Sequence, residues 1–130
     1  MRVFYIDDDK DDCDFLKETL EKVNSEILCV RYTNSKEGIK FLTNTELSFD
    51  LIMLDINMPL MNGKECLVEI KKHENLRNIP VVMCSTTLQT KEMKSYFELG
   101  IYDFIVKPST MTKYYDELKT IIDSIVEAKK

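Results

Sequence analysis

Four apolar stretches of this chain each run into a side chain that can do chemistry. Arg2-Val3-Phe4-Tyr5-Ile6 leads into Asp7-Asp8-Asp9, and Leu51-Ile52-Met53-Leu54 leads into Asp55. Val81-Val82-Met83-Cys84 leads into Ser85, and Tyr102-Asp103-Phe104-Ile105-Val106 leads into Lys107-Pro108. Short, continuous apolar runs read as strands buried on both faces, hence parallel. In open α/β sheets, ligands bind at the carboxyl ends of such strands. The four ends supply an acidic cluster, a lone carboxylate, a hydroxyl and an ammonium. Packing has no use for that set. Metal-assisted transfer of a phosphoryl group to a carboxylate does: carboxylates hold a hard cation, the ammonium offsets phosphoryl charge, and the hydroxyl donates to a phosphoryl oxygen.

The elements that must position these groups alternate along the chain. Phe15, Leu16, Leu20 and Val23 recur at helical spacing after the first acidic turn. Asp9 is expected to cap that helix, with Asp11 and Asp12 in its first turn, where the helix dipole favours negative charge. Ile27–Val30 reads as the second strand, and Ser35 as the N-cap of a helix carrying Ile39 and Leu42. Asn62-Gly63 opens a helix with Cys66, Leu67 and Ile70 on one face. Pro80 introduces the fourth strand. Met93, Tyr96 and Phe97 mark a fourth helix that Gly100 stops. Leu118, Ile121, Ile122 and Ile125 form the stripe of a last helix. Five strands interleaved with five helices predict an α/β fold, a five-stranded parallel sheet with helices on both faces.

The 130 residues fit one domain, and 44% hydrophobic residues suffice for a core. The net charge of −5 argues against nucleic acid or a membrane surface as partner. The four cysteines form no Cys-x-x-Cys pair, so zinc and redox motifs lack support; Cys29 and Cys84 read as small buried hydrophobes. No stretch reaches transmembrane length and no signal peptide precedes the first strand, from which a reduced, cytoplasmic protein is expected. The only histidine, His73, follows Lys71-Lys72 and is expected to be an exposed polar residue.

The four motifs, in this order and over essentially the whole chain, resemble the receiver domain of response regulators, the chemotaxis-regulator type of flavodoxin-like fold. The resemblance implies a doubly wound (βα)5 sheet, a single receiver domain over residues 1–130 with no output domain, and signalling by phosphoryl transfer rather than turnover of a substrate. It implies Asp55 as phosphoacceptor, and Asp7, Asp8 and Asp55 with the backbone carbonyl of Asn57 as ligands of Mg²⁺, which Mn²⁺ could replace. Ser85 and Lys107 would contact the phosphoryl group, and Phe104 would be an aromatic switch. Asn57 and Thr87 stand where the family tunes aspartyl-phosphate lifetime. The family's lysine–proline bond is typically cis, which makes Pro108 a cis-proline candidate. The implied phosphodonor is a sensor histidine kinase or histidine phosphotransfer protein. Output would be protein binding through the fourth helix, fifth strand and fifth helix, or relay of the phosphoryl group. The chain would be a monomer or weak dimer.

Alternatives fit less well. Asp7, Asp9, Asp11 and Glu18 match ligand positions of a calcium loop, but Asp12 stands where its glycine belongs, and a strand precedes it. A haloacid-dehalogenase phosphatase wants an aspartate two residues past its nucleophile; here Asn57 occupies that position. A phosphorylation-independent module would be expected to lose some of Asp7, Asp8, Asp55, Ser85 and Lys107. Thr86 follows Ser85 directly, so a shift of one in register would exchange them; Pro80 and the apolar run favour Ser85.

Overall fold

The computed structural model describes residues 1–87 and 90–130. Strands and helices alternate: β1 (Arg2–Ile6), α1 (Lys10–Val23), β2 (Leu28–Tyr32), α2 (Ser35–Asn44), β3 (Leu51–Asp55), α3 (Gly63–Lys72), β4 (Val81–Ser85), α4 (Thr90–Glu98), β5 (Asp103–Val106) and α5 (Met111–Ala128). The five strands pair in parallel in the order β2-β1-β3-β4-β5. The chain therefore winds outward in both directions from β1 and β3, and the crevice lies at their carboxyl ends.

The alternation of side chains along each strand divides the core in two. Phe4, Ile6, Ile52, Leu54 and Met83 face α2, α3 and α4 through Leu42, Leu67, Ile70 and Tyr96. Val3, Tyr5, Met53, Val82 and Ile105 face α1 and α5 through Leu16, Leu20, Leu118 and Ile122. Every residue of β3 and β4 is buried, as central strands covered on both faces require. Edge strand β2 is only partly covered, and its Leu28 is 60% exposed.

Several local expectations hold. The Asp9 side chain accepts hydrogen bonds from the Asp11 and Asp12 amides and caps α1. Asn62 and Glu65 form a reciprocal capping box on α3. Gly100 follows α4 with φ +94°, a conformation that disfavours any Cβ. Others are corrected. The N-cap of α2 is Asn34, which accepts from the Glu37 amide at 3.0 Å, not Ser35. The Ser35 hydroxyl is buried and instead donates to the Pro59 carbonyl at 3.1 Å, a tertiary bond that ties α2 to the loop after β3. Strand β2 starts one residue later than expected and extends to Tyr32, because pairing with β1 continues to Ile6. Cys29 is half-buried, as an edge strand allows, and His73 is a half-buried C-cap of α3.

Candidate metal and phosphoryl site

The register of the sheet assembles the site. Ile6 pairs with Leu54, so Asp7 and Asp55 follow side by side at adjacent strand ends. Asp55 pairs with Cys84, and Ser85 with Val106, which carries Lys107 to the same edge. Backbone bonds fix the ends: the Asp7 amide donates to the Tyr32 carbonyl at 3.1 Å, and the Lys107 amide to the Ser85 carbonyl at 2.7 Å. Gly63 lets α3 start against this edge. A Cβ there would lie 2.5 Å from the Asp55 carbonyl oxygen, a contact with backbone that cannot yield cheaply.

Asp7, Asp8 and Asp55 each place a carboxylate oxygen within 4.8 Å of the others, with Asp7 and Asp55 buried and Asp8 exposed. Lys107, just past the end of β5, reaches the same cluster. Its Nζ donates to Asp7 Oδ2 at 2.6 Å and to Asp12 Oδ2 at 2.8 Å, and lies 3.2 Å from Asp55 Oδ1. The electrostatics are strained in one direction. Burial, followed by repulsion from Asp7, pushes the Asp55 carboxyl up to about 6 against the Lys107 charge that lowers it. Burial likewise raises Asp7, although Lys107 and the Asp9 amide favour its charged form. For Lys107, burial opposes the charge, but the bonds to Asp12 and Asp7 outweigh it and hold the ammonium well above its ordinary value. Two buried carboxylates and a third beside them have more negative charge than one ammonium offsets. A hard divalent cation would relieve that excess, and carboxylate oxygens are the donors such a cation takes, so the residues fit the group.

The remaining expected residues sit around this centre. Ser85 is buried, and its Oγ accepts from the Thr87 amide at 3.3 Å. Asn57 and Thr87 are exposed on the loops after β3 and β4. Phe104 is half-buried, its ring centroid 6.3 Å from that of Tyr96. The Lys107–Pro108 bond is trans, contrary to the expectation of a cis-proline. The trans form of an X–Pro bond is favoured by about 0.5–1 kcal/mol, and here it already brings the ammonium to three carboxylates. Sequence reading missed one contributor. Asp12, expected only as a favourable charge in the first turn of α1, also holds Lys107 across 95 residues of sequence. Its helical spacing from the strand end was the one available signal.

A five-stranded, doubly wound parallel sheet with an acidic triad and a lysine at its carboxyl edge places the chain in the flavodoxin-like class of α/β domains. The chain belongs to the response regulator receiver domain family, whose model matches residues 3–119. It is 31% identical over 121 residues to the transcriptional regulatory protein CrdR of Helicobacter pylori, a match covering 93% of this chain and 53% of that protein. It is 36% identical over 81 residues to the probable transcriptional regulator ycf29 of Pyropia yezoensis, covering 62% of this chain and 35% of that one. The chain thus spans about a third to a half of the length of these relatives. Among solved structures it resembles the phosphorylated cyanobacterial phytochrome response regulator RcpA, with a TM-score of 0.86 at 26% identity, covering 98% and 94% of the two chains. The Mn²⁺-bound response regulator Rcp1 shares the fold, with a TM-score of 0.80 at 23% identity over 92% and 90%. Receiver domains are phosphoacceptors that take phosphoryl groups from histidine kinases. Among the described residues, no helix is long and apolar enough to cross a membrane.

Proposed function

We propose that residues 1–130 act as one cytoplasmic receiver domain in which Asp55 accepts a phosphoryl group from a phosphohistidine of a sensor kinase or phosphotransfer protein. The observation that carries this reading is the convergence of Asp7, Asp8 and Asp55 within 4.8 Å, with the Lys107 ammonium 3.2 Å from Asp55. An Asp55 carboxylate oxygen forms the new bond to phosphorus as the histidine nitrogen–phosphorus bond breaks, and the leaving imidazole keeps the electron pair. The product is an aspartyl phosphate. Asp7, Asp8, Asp55 and the Asn57 carbonyl would hold Mg²⁺, or Mn²⁺ in its place. When bound, that ion neutralises charge on the transferring group, the main requirement of phosphoryl transfer. Lys107 supplies a second positive charge, and the Ser85 hydroxyl a hydrogen bond.

The added charge shifts the balance between two conformations. Ser85 and Lys107 turn towards the phosphoryl group, and Phe104 follows. The readout surface is the groove between α4, β5 and α5, about 490 Å³, lined by Met93, Phe104, Val106, Lys113 and Glu117. A downstream protein binds there, or the phosphoryl group passes on along a relay. Asn57 and Thr87 set the lifetime of the phosphorylated form, and the only turnover is of the protein's own phosphoryl group. With Asn57 rather than an acid two residues past Asp55, hydrolysis of phosphate esters is not expected.

Intact mass after incubation with acetyl phosphate tests this reading. A single Mg²⁺-dependent adduct of about 80 Da, the mass of one phosphoryl group, is expected on the wild type and not on Asp55→Asn. An adduct of equal yield on Asp55→Asn would overturn the assignment. Absence of any adduct, together with failure to accept from phosphohistidine donors, would favour a phosphorylation-independent module.

A further inference from the structure

Asp12 lies outside the carboxylate cluster that fits a cation, yet it makes one of the two hydrogen bonds to Lys107. Its Oδ2 accepts from Nζ at 2.8 Å, while Asp55 Oδ1 stands further away at 3.2 Å. Asp12 does not reach Lys107 from a loop. It projects from the first turn of α1, and its own amide donates to Asp9 Oδ1 at 3.2 Å, so the cap fixes where the carboxylate stands. Among the described residues, Lys107 is the only group to which the Asp12 carboxylate is bonded. An ammonium has three N–H donors. With one directed to Asp7 and one to Asp12, a single donor is left for the Asp55 side, and the Asp12 bond holds Nζ where Asp55 Oδ1 is the most distant of the three carboxylate oxygens, so closer engagement of a phosphoryl group there works against that bond.

We propose that Asp12 is a positioning residue that competes with the phosphoryl group for Lys107 and so holds the site towards its unphosphorylated arrangement. This rests on the reading of Asp55 as phosphoacceptor. Asp12 stands outside the carboxylate cluster that fits a cation, so a cation held by Asp7, Asp8 and Asp55 would not itself occupy the Asp12 carboxylate. Asp12 is therefore a brake set by α1 on the affinity of the site for a phosphoryl group. Its side chain is 40% exposed, so the competition is moderate, on the scale of a partly screened ion pair.

The test is titration with beryllofluoride, a phosphoryl mimic, in excess Mg²⁺, followed by the amide NMR signals of the loop after β4. Asp12→Asn is expected to bind about fivefold more tightly than wild type, the factor matching a partly exposed ion pair. Merely structural damage would weaken binding, not strengthen it. Asp11→Asn removes the same charge from the same turn without touching Lys107, and is expected to stay within about twofold of wild type. Asp12→Glu, which keeps the carboxylate, is expected to do likewise. Unchanged or weaker binding by Asp12→Asn would overturn the proposal, as would an equal gain in Asp11→Asn or Asp12→Glu. Those results leave the phosphoacceptor reading intact. Wild-type binding that is absent, or unaltered by Asp55→Asn, would instead remove that reading and this proposal with it.

Discussion

Replacing the buried Asp55 carboxylate by an amide should stabilise the metal-free fold. The Asp55 carboxyl is raised from its ordinary 3.8 to about 6, first by burial and then by the Asp7 charge, net of the attraction to Lys107. At about 1.4 kcal/mol for each tenfold change in proton affinity, ionising Asp55 costs the folded state about 3 kcal/mol more than the unfolded one. Folded Asp55 holds its proton more tightly, so its favourable contribution is complete below 3.8, declines as pH rises, and is lost above about 6. The amide of Asp55→Asn has the shape of the protonated carboxyl and never ionises. With metal removed by EDTA at about pH 7.5, Asp55→Asn should therefore be more stable by about 2–3 kcal/mol, and the gap should close towards about pH 4. The chain has no tryptophan, so urea unfolding is best followed by far-ultraviolet circular dichroism. The midpoint should rise by about 1 M or more with an unchanged slope. A midpoint equal to or below wild type at the higher pH would refute the argument. So would a gap that does not change with pH.

Other expectations follow from the same geometry. Adding Mg²⁺ should raise the unfolding midpoint of wild type and largely spare Asp55→Asn, since the carboxylate excess that a cation relieves is then smaller; an equal rise in both would contradict the fit of the cluster. Lys107→Met leaves Asp7, Asp12 and Asp55 without their shared cation and should cost about 3 kcal/mol near neutral pH, as breaking a buried pair does; denaturant titration checks this. Gly63→Ala puts a methyl 2.5 Å from the Asp55 carbonyl and should cost about 2 kcal/mol or more while lowering the phosphorylation rate, read by thermal melts and adduct yield. Asp9→Ala removes the α1 cap and should cost about 1 kcal/mol, seen as a lower midpoint.

The sequence by itself determined what local rules can reach. Apolar runs of strand length marked β1, β3 and β4 nearly to the residue, because burial on both faces leaves little room for polar side chains, and marked the edge strand β5, of which only Ile105 is fully buried, to within one residue. The chemical groups were legible for the same reason: a charge directly after such a run must stand at a strand end. The cap at Asp9, whose partners lie two or three residues away, was legible because its hydrogen bonding is local, as was the opening of α3 at Asn62-Gly63. Tertiary structure decided what depends on distant partners. Ser35 has an N-cap side chain, but its hydroxyl is taken by Pro59, 24 residues away, so Asn34 caps instead. The family pattern suggested a cis bond at Pro108, yet the trans chain already satisfies Lys107. Asp12 showed the same limit most clearly. Its place in the first turn of α1 follows from the sequence, but its hold on Lys107 arises because α1 and α5 pack together on one face of the sheet and bring that turn to the end of β5, and chain-local signals carry no information about which helices share a face.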